Sequence, residues 1–362
     1  MKDGKKGIPV ERGEKILVVR VGHGGDLVMI TPALRALLAA FPAAEIHLLA
    51  GCDGRRILGD FDQRLTRVWS FHRRFPGRLL LQRRLDRQIR AEHYARIYVF
   101  ESKPFYRQWL RGAAPAVFAL AAGTIGHFCD LCLDLVQRSV AEPIDRSWVS
   151  LPVSPTGLAR ARALLDRAGL LGASRLVGLH PTFSGTSLPF FRDRQGVRHR
   201  MWPPAHFARL AVLLRQEARR AGTTLAVVID ALPQERSYAE AIVRLSGGEI
   251  DLLAEAPDFQ RYKGLLQCLD ALVTPNTGPM HIAAAVGTPL VALFSRWRAA
   301  ECGPYMDPVR YRVLAAEAAA EPRRGLAAIQ PEAAAEAVWS LLQTTRAAAG
   351  GDPPPAPAEP QT

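Results

Sequence analysis

The chain has 362 residues, 48% of them hydrophobic, and carries 47 Lys and Arg against 34 Asp and Glu, a formal net charge of +13. This is enough apolar material for two packed domains and excludes a disordered protein, while no uninterrupted apolar run of about 18 residues suggests a membrane span. The opening MKDGKKGIPVERGEK lacks the apolar core of a signal peptide, and five cysteines at 52, 129, 132, 268 and 302 form no disulfide framework; a reducing, cytoplasmic location is expected.

Residues 15–21 (KILVVRV) read as a strand, followed by the turn Gly22-His23-Gly24-Gly25-Asp26-Leu27, a helix over 31–41 and a second strand over 45–51. A dinucleotide-binding fingerprint needs a third glycine where Leu27 stands and an acidic residue after the second strand, where Leu48-Leu49-Ala50-Gly51 stands instead. Nicotinamide binding is therefore not expected. Asp26 sits in a Gly-rich turn at the carboxyl end of a strand, where open α/β sheets hold ligands, so it reads either as a helix cap or as a general base. Between Arg55 and Arg111 stand fifteen basic and five acidic residues, a cationic face suited to anionic partners. Residues 95–100 (ARIYVF) form a further strand. Cys129 and Cys132 make a CxxC inside the helical pattern HFCDLCLDLV without zinc-ligand spacing, which fits buried structural thiols.

SLPVSPTG at 150–157 precedes a helix over 158–168, and the domain boundary is expected near 155–175. The alternation then restarts: strand 175–181, helix 205–222, strand 224–230, helix 234–245, a short strand at 251–253 and helix 263–271. Alternating strands and helices imply a parallel sheet in each half. The first new strand ends in His180-Pro181-Thr182, and the insertion 183–201 carries Arg198 and Arg200, candidates to neutralise phosphate charge. At 272–294, LVTPNTGPMHIAAAVGTPLVALF, an apolar strand enters a polar turn, an Ala-rich helix and another strand. A helix N-terminus offers unpaired N–H groups and a positive dipole end; Gly278 permits close approach, Thr277 adds a hydroxyl, and His281 lies one turn inside. Asn276 reads as a turn residue and His281 equally as a packed helix histidine. Pro331 opens a last helix, and 348–362 is a Pro/Gly/Ala tail expected to be disordered. No HExxH, DxD or GxSxG motif occurs, so neither a metal site nor a serine hydrolase is expected.

Three collinear blocks, KILVVRVGHGGDLVMITPALRALLAAFPAAEIHLLAG, GLHP…RMWPPAHFARLAVLL and LVTPNTGPMHIAAAVGTPLVALFS…CGPY, resemble glycosyltransferase family 9, the ADP-heptose:lipopolysaccharide heptosyltransferases, over about 15–342. The resemblance implies a GT-B α/β architecture. An acceptor-binding Rossmann-like domain (15–160) would face a nucleotide-sugar domain (173–330), with a C-terminal helix (331–347) crossing back toward the first. It implies an inverting, metal-independent transferase with no cofactor, in which Asp26 is the catalytic base. Thr182, Arg200, Asn276, Thr277, Gly278, Pro279, Met280 and His281 would hold the donor diphosphate, with Arg20, Gly24 and Gly25 at the acceptor side. The implied partners are ADP-heptose or a similar nucleotide sugar, a phosphorylated lipid-linked glycan acceptor and an anionic membrane surface at the inner face of the inner membrane; nucleic acid is not expected. Asn276 stands where most members have Asp, the family's Lys after the HPG turn is missing with Arg200 nearest its place, and HPT replaces HPG. These departures leave two alternatives, a catalytically silent nucleotide-sugar-binding protein or a transferase with another donor sugar and a non-lipopolysaccharide acceptor.

Overall fold

A computed structural model describes residues 13–71, 77–182, 199–295, 298–318 and 322–349. The chain forms two wholly parallel sheets flanked by helices. The first contains β1 (Lys15–Arg20), β2 (Glu45–Ala50), β3 (Leu65–Ser70), β4 (Arg96–Val99) and β5 (Ala116–Ala119), in the order β3-β2-β1-β4-β5. The second contains β6 (Arg175–Leu179), β7 (Leu225–Asp230), β8 (Asp251–Leu253), β9 (Ala271–Pro275), β10 (Leu290–Phe294) and β11 (Tyr311–Ala315), in the order β11-β10-β9-β6-β7-β8. Central strands such as β9 and β10 are buried throughout, as the near-continuous apolar runs of a sheet covered on both faces require. The strands absent from the sequence reading, β3, β5 and β11, are edge strands and only partly buried; β3 and β11 interleave polar residues, and the apolar run of β5 is only four residues long.

In each sheet the connections run one way from the first strand and then reverse. β1 lies between β2 and β4, and β6 between β7 and β9. Loops leaving neighbouring strands at such a point diverge and open a crevice at their carboxyl ends. The turn holding Asp26 follows β1, while 180–182 and 276–278 follow the adjacent strands β6 and β9, so the fold puts all three motifs at switch points.

Helix Pro155–Arg167, opened by a Ser154 cap that accepts the Gly157 N–H at 3.1 Å, packs closely against helix Phe259–Cys268 of the second domain. Its intimacy depends on small residues: a Cβ on Gly264 would lie 2.7 Å from the Gly157 carbonyl oxygen. The change of domain therefore falls at about Ser154 rather than at 160. Helix Pro331–Ala349 also differs from expectation. Ala334, Val338, Leu341 and Leu342 are buried in the core of the second domain, against helix Pro204–Arg220 and strands β9 to β11. Its apolar stripe is matched there, so the helix stays with its own domain instead of crossing back. The tail beyond 349 and residues 183–198, which include Arg198, lie outside the described residues.

The two domains share one apolar core, in which Leu27 and Val28 of the first meet Met280, Ile282 and Ala283 of the second. The linker is tied to both: Ser150 donates its N–H to the Thr31 hydroxyl at 3.1 Å, while Val149 and Leu151 donate to Tyr305 and Ala285 carbonyls. Lys263, fully buried, extends its ammonium from the second domain to Asp60 of the first at 2.7 Å and to the Pro152 carbonyl at 2.5 Å. Among the described residues no helix is long and apolar enough to cross a membrane.

Candidate active site

The turn after β1 folds into a short helix, Gly24–Val28, with His23 as its N-cap. Asp26 is thus the third helical residue, not the N-cap, and reaches back to accept the His23 N–H on Oδ2 at 2.8 Å. Its other oxygen accepts from Arg20 Nη2 at 2.7 Å. Capping and a charged role coexist in one carboxylate, whose side chain retains 31% exposure. Arg20 is itself fixed by the Phe100 carbonyl at 3.0 Å, by Glu101 at 3.9 Å and by stacking 4.1 Å over the Phe128 ring. Buried Glu101 in turn accepts the Val21 N–H at 2.7 Å. Glu101 was missed in the sequence because it sits 80 residues from its partner, just past a strand that pairs with β1.

Burial pushes the Asp26 carboxyl upward, but the Arg20 guanidinium, the His23 N–H and nearby His281 outweigh it and hold the group below the usual carboxylate range. At neutral pH Asp26 is an anion. Burial drives His281 the other way, down to about 4, with His127 and Arg20 adding to the effect and Asp26 opposing it. His281 is therefore neutral and can donate or accept a hydrogen bond without adding charge.

The N-terminus of helix Gly278–Ala285 meets this turn directly. A Cβ on Gly25 would lie 2.7 Å from His281 Cδ2 and 3.2 Å from Gly278 Cα, and one on Gly278 would lie 3.7 Å from the Gly25 nitrogen. Glycine is needed at 25 for space: two helix N-termini, each with a positive dipole end, abut with no side chain between them. Gly24 supports the contact from behind, where Ile57 leaves little room. Of the N–H groups expected over 277–280, fewer are free than the sequence suggested. Pro279 has none, and Met280 donates to the Thr277 carbonyl at 3.1 Å, which leaves Thr277 and Gly278 as donors toward an anion. The Thr277 hydroxyl rests on the Pro275 carbonyl at 3.3 Å and makes no cap bond.

Other predicted residues are placed but already engaged. Buried Thr182 donates its hydroxyl to Glu235 at 2.7 Å, beside His180. Asn276 turns its amide to the Cys302 sulfur at 3.4 Å. Arg200 follows His199, which is held to Ser295 at the end of β10 at 3.1 Å, so Arg200 stands at the carboxyl edge of the second sheet. Deeper in that edge Asp230, raised to about 6 by burial against the opposing pull of Arg261, completes a polar cluster with Glu235. Neither acid had a motif to reveal it. Among the described residues no group of three potential metal ligands stands together.

Residues 193–328 match the family described as glycosyltransferase family 9 (heptosyltransferase). No curated protein matches the chain significantly. Similar solved structures include a glycosyl transferase family 9 protein from Veillonella parvula DSM 2008, 16% identical, covering 91% of this chain and 97% of that one with a TM-score of 0.74. The ADP-heptose LPS heptosyltransferase II of E. coli is 19% identical, covers 92% and 99%, and has a TM-score of 0.66. The E. coli heptosyltransferase WaaC with ADP is 16% identical, covers 90% and 99%, and scores 0.63. The chain thus shares the two-domain fold of these solved structures over nearly its full length.

Proposed function

We propose that the protein transfers heptose, or a related sugar, from an ADP-sugar to a lipid-linked surface glycan at the inner membrane face, with inversion and without a metal ion. The observation that carries this is the contact of the Asp26 turn with the helix N-terminus at Gly278. An acceptor hydroxyl beside Asp26 attacks the anomeric carbon of the donor and gives its proton to the carboxylate. The bond from that carbon to the β-phosphate oxygen breaks, and ADP leaves with the electron pair. The Thr277 and Gly278 N–H groups and the helix dipole stabilise the charge that grows on the leaving diphosphate. Neutral His281 serves as a hydrogen-bonding partner that does not compete with Asp26 for the proton. Arg200 supplies the positive charge that Lys provides in most relatives.

Asp26→Ala tests the chemistry. General-base catalysis is worth roughly 10² to 10⁴ in rate, so transfer should fall by that factor while ADP affinity is kept; near-normal turnover would reduce Asp26 to a structural cap. Transfer should also persist in EDTA. The engagement of Thr182 by Glu235 and of Asn276 by Cys302 favours one other reading, a nucleotide-sugar-binding protein without transfer. Binding of ADP-heptose with neither transfer nor hydrolysis would select it.

A further inference from the structure

Helix Arg78–Ala91 buries Leu85 and Ile89 against the first domain and turns Leu79 and Leu80 outward, 63% and 72% exposed. One turn further along stand Arg83 and Arg84, then Arg87. Between this helix and Trp109 runs a groove of about 470 Å³ lined by Gln82, Arg83, Asp86, Arg87, Arg90 and Trp109. Its one acid is neutralised internally, since Asp86 accepts from Arg90 at 3.0 Å. Arg83, Arg84, Arg87, Lys103, Arg107 and Arg111 are all exposed, and none has a carboxylate partner among the described residues. Phe105, 40% exposed, stands 5.9 Å from the Trp109 ring and stacks on Phe71 at 6.4 Å, so a third apolar prominence borders the groove. Phe71 follows β3 and helix Pro104–Trp109 follows β4. The surface therefore lies on the same sheet edge as the Asp26 turn.

Large exposed apolar side chains are costly in water unless something covers them, and here they are interleaved with unneutralised cations. A nucleic acid would use the cations but not the leucines. A bilayer of anionic lipid uses both, taking apolar side chains at the headgroup boundary and phosphates beside the arginines. We propose that this surface seats the protein on an anionic lipid bilayer, with Leu79, Leu80 and Phe105 inserted and the Arg83–Arg87 groove holding lipid phosphates. The proposal deepens the function above, because a lipid-linked acceptor must present its sugar to Asp26 while its anchor stays in the membrane.

The test is sedimentation of the full chain with vesicles of phosphatidylglycerol and phosphatidylcholine against vesicles of phosphatidylcholine alone. Wild type should partition only to the anionic vesicles. Leu79→Glu/Leu80→Glu and Arg83→Glu/Arg87→Glu should each bind on the order of tenfold more weakly, with unchanged thermal melts and ADP affinity. Wild-type failure to bind anionic vesicles, or full binding by either variant, overturns the proposal. Arginine-dependent binding to a short DNA duplex, with the leucine variant matching wild type on vesicles, overturns it in favour of a polyanion site. A transfer assay on an acyl-free acceptor fragment, with Asp26→Ala as control, reports on the sugar chemistry separately.

Discussion

Gly25→Ala probes the contact on which the site depends. The added methyl would stand 2.7 Å from His281 Cδ2, whereas carbon atoms pack comfortably at about 3.5–4.0 Å. Something must yield by roughly 1 Å. The His281 ring is buried, and Gly278 Cα, at 3.2 Å from the same methyl, is backbone, so neither neighbour is a flexible side-chain end. Overpacking of this kind costs about 1–3 kcal/mol, and each kcal/mol lowers the melting temperature by about 2–4 °C in domains of this size. The larger consequence is geometric. A displacement of about 1 Å between the base and the diphosphate-binding N–H groups lowers transfer by on the order of 10². Calorimetric melting and steady-state transfer of the sugar would measure both. A variant that melts with wild type and keeps transfer within about twofold would show that the two turns are not held in contact during catalysis.

Arg20→Met removes the strongest force that lowers the Asp26 carboxyl, leaving burial to raise it. The acid limb of the transfer–pH profile should move to higher pH, and an unmoved limb would mean that Asp26 is not the group titrating. In the same way, native Asp26 contributes stability above its unfolded pKa of about 3.9 that is lost as pH falls through the lower folded value. Across the domain interface, Asp60→Ala strands a fully buried ammonium and should cost about 3–5 kcal/mol in urea unfolding. Lys263→Met should cost less, about 1–2 kcal/mol, because the partly exposed Asp60 it leaves can take water; the reverse order would refute the asymmetry. Thiol titration should label Cys52 at once and Cys129 and Cys132 only on unfolding, since both of the latter are buried and burial pushes their thiols up.

The central strands and the two glycine-containing turns were legible because each is specified by its own residues: apolar runs for buried strands, Gly22 to Gly25 and Gly278 for turns at their ends. Edge strand β3 was not, because a half-exposed strand needs no apolar run, and β5 was not, because four apolar residues fit a strand or a helix segment equally well. The candidate site was legible as two separate motifs, Asp26 and 276–281. Nothing local revealed that Arg20 and Glu101 clamp the first, or that Glu235 takes the Thr182 hydroxyl.

The sequence by itself determined a doubly parallel α/β chain with a Gly-rich turn bearing Asp26 in one half and a polar helix start at Thr277 and Gly278 in the other, since turn chemistry and strand burial act over a few residues. Tertiary structure alone decided that Gly25 meets Gly278, that Lys263 reaches Asp60, and that the last helix remains on the second domain. These contacts join residues far apart in the chain. They depend on the shape and charge left over once each domain has packed, which no local pattern encodes.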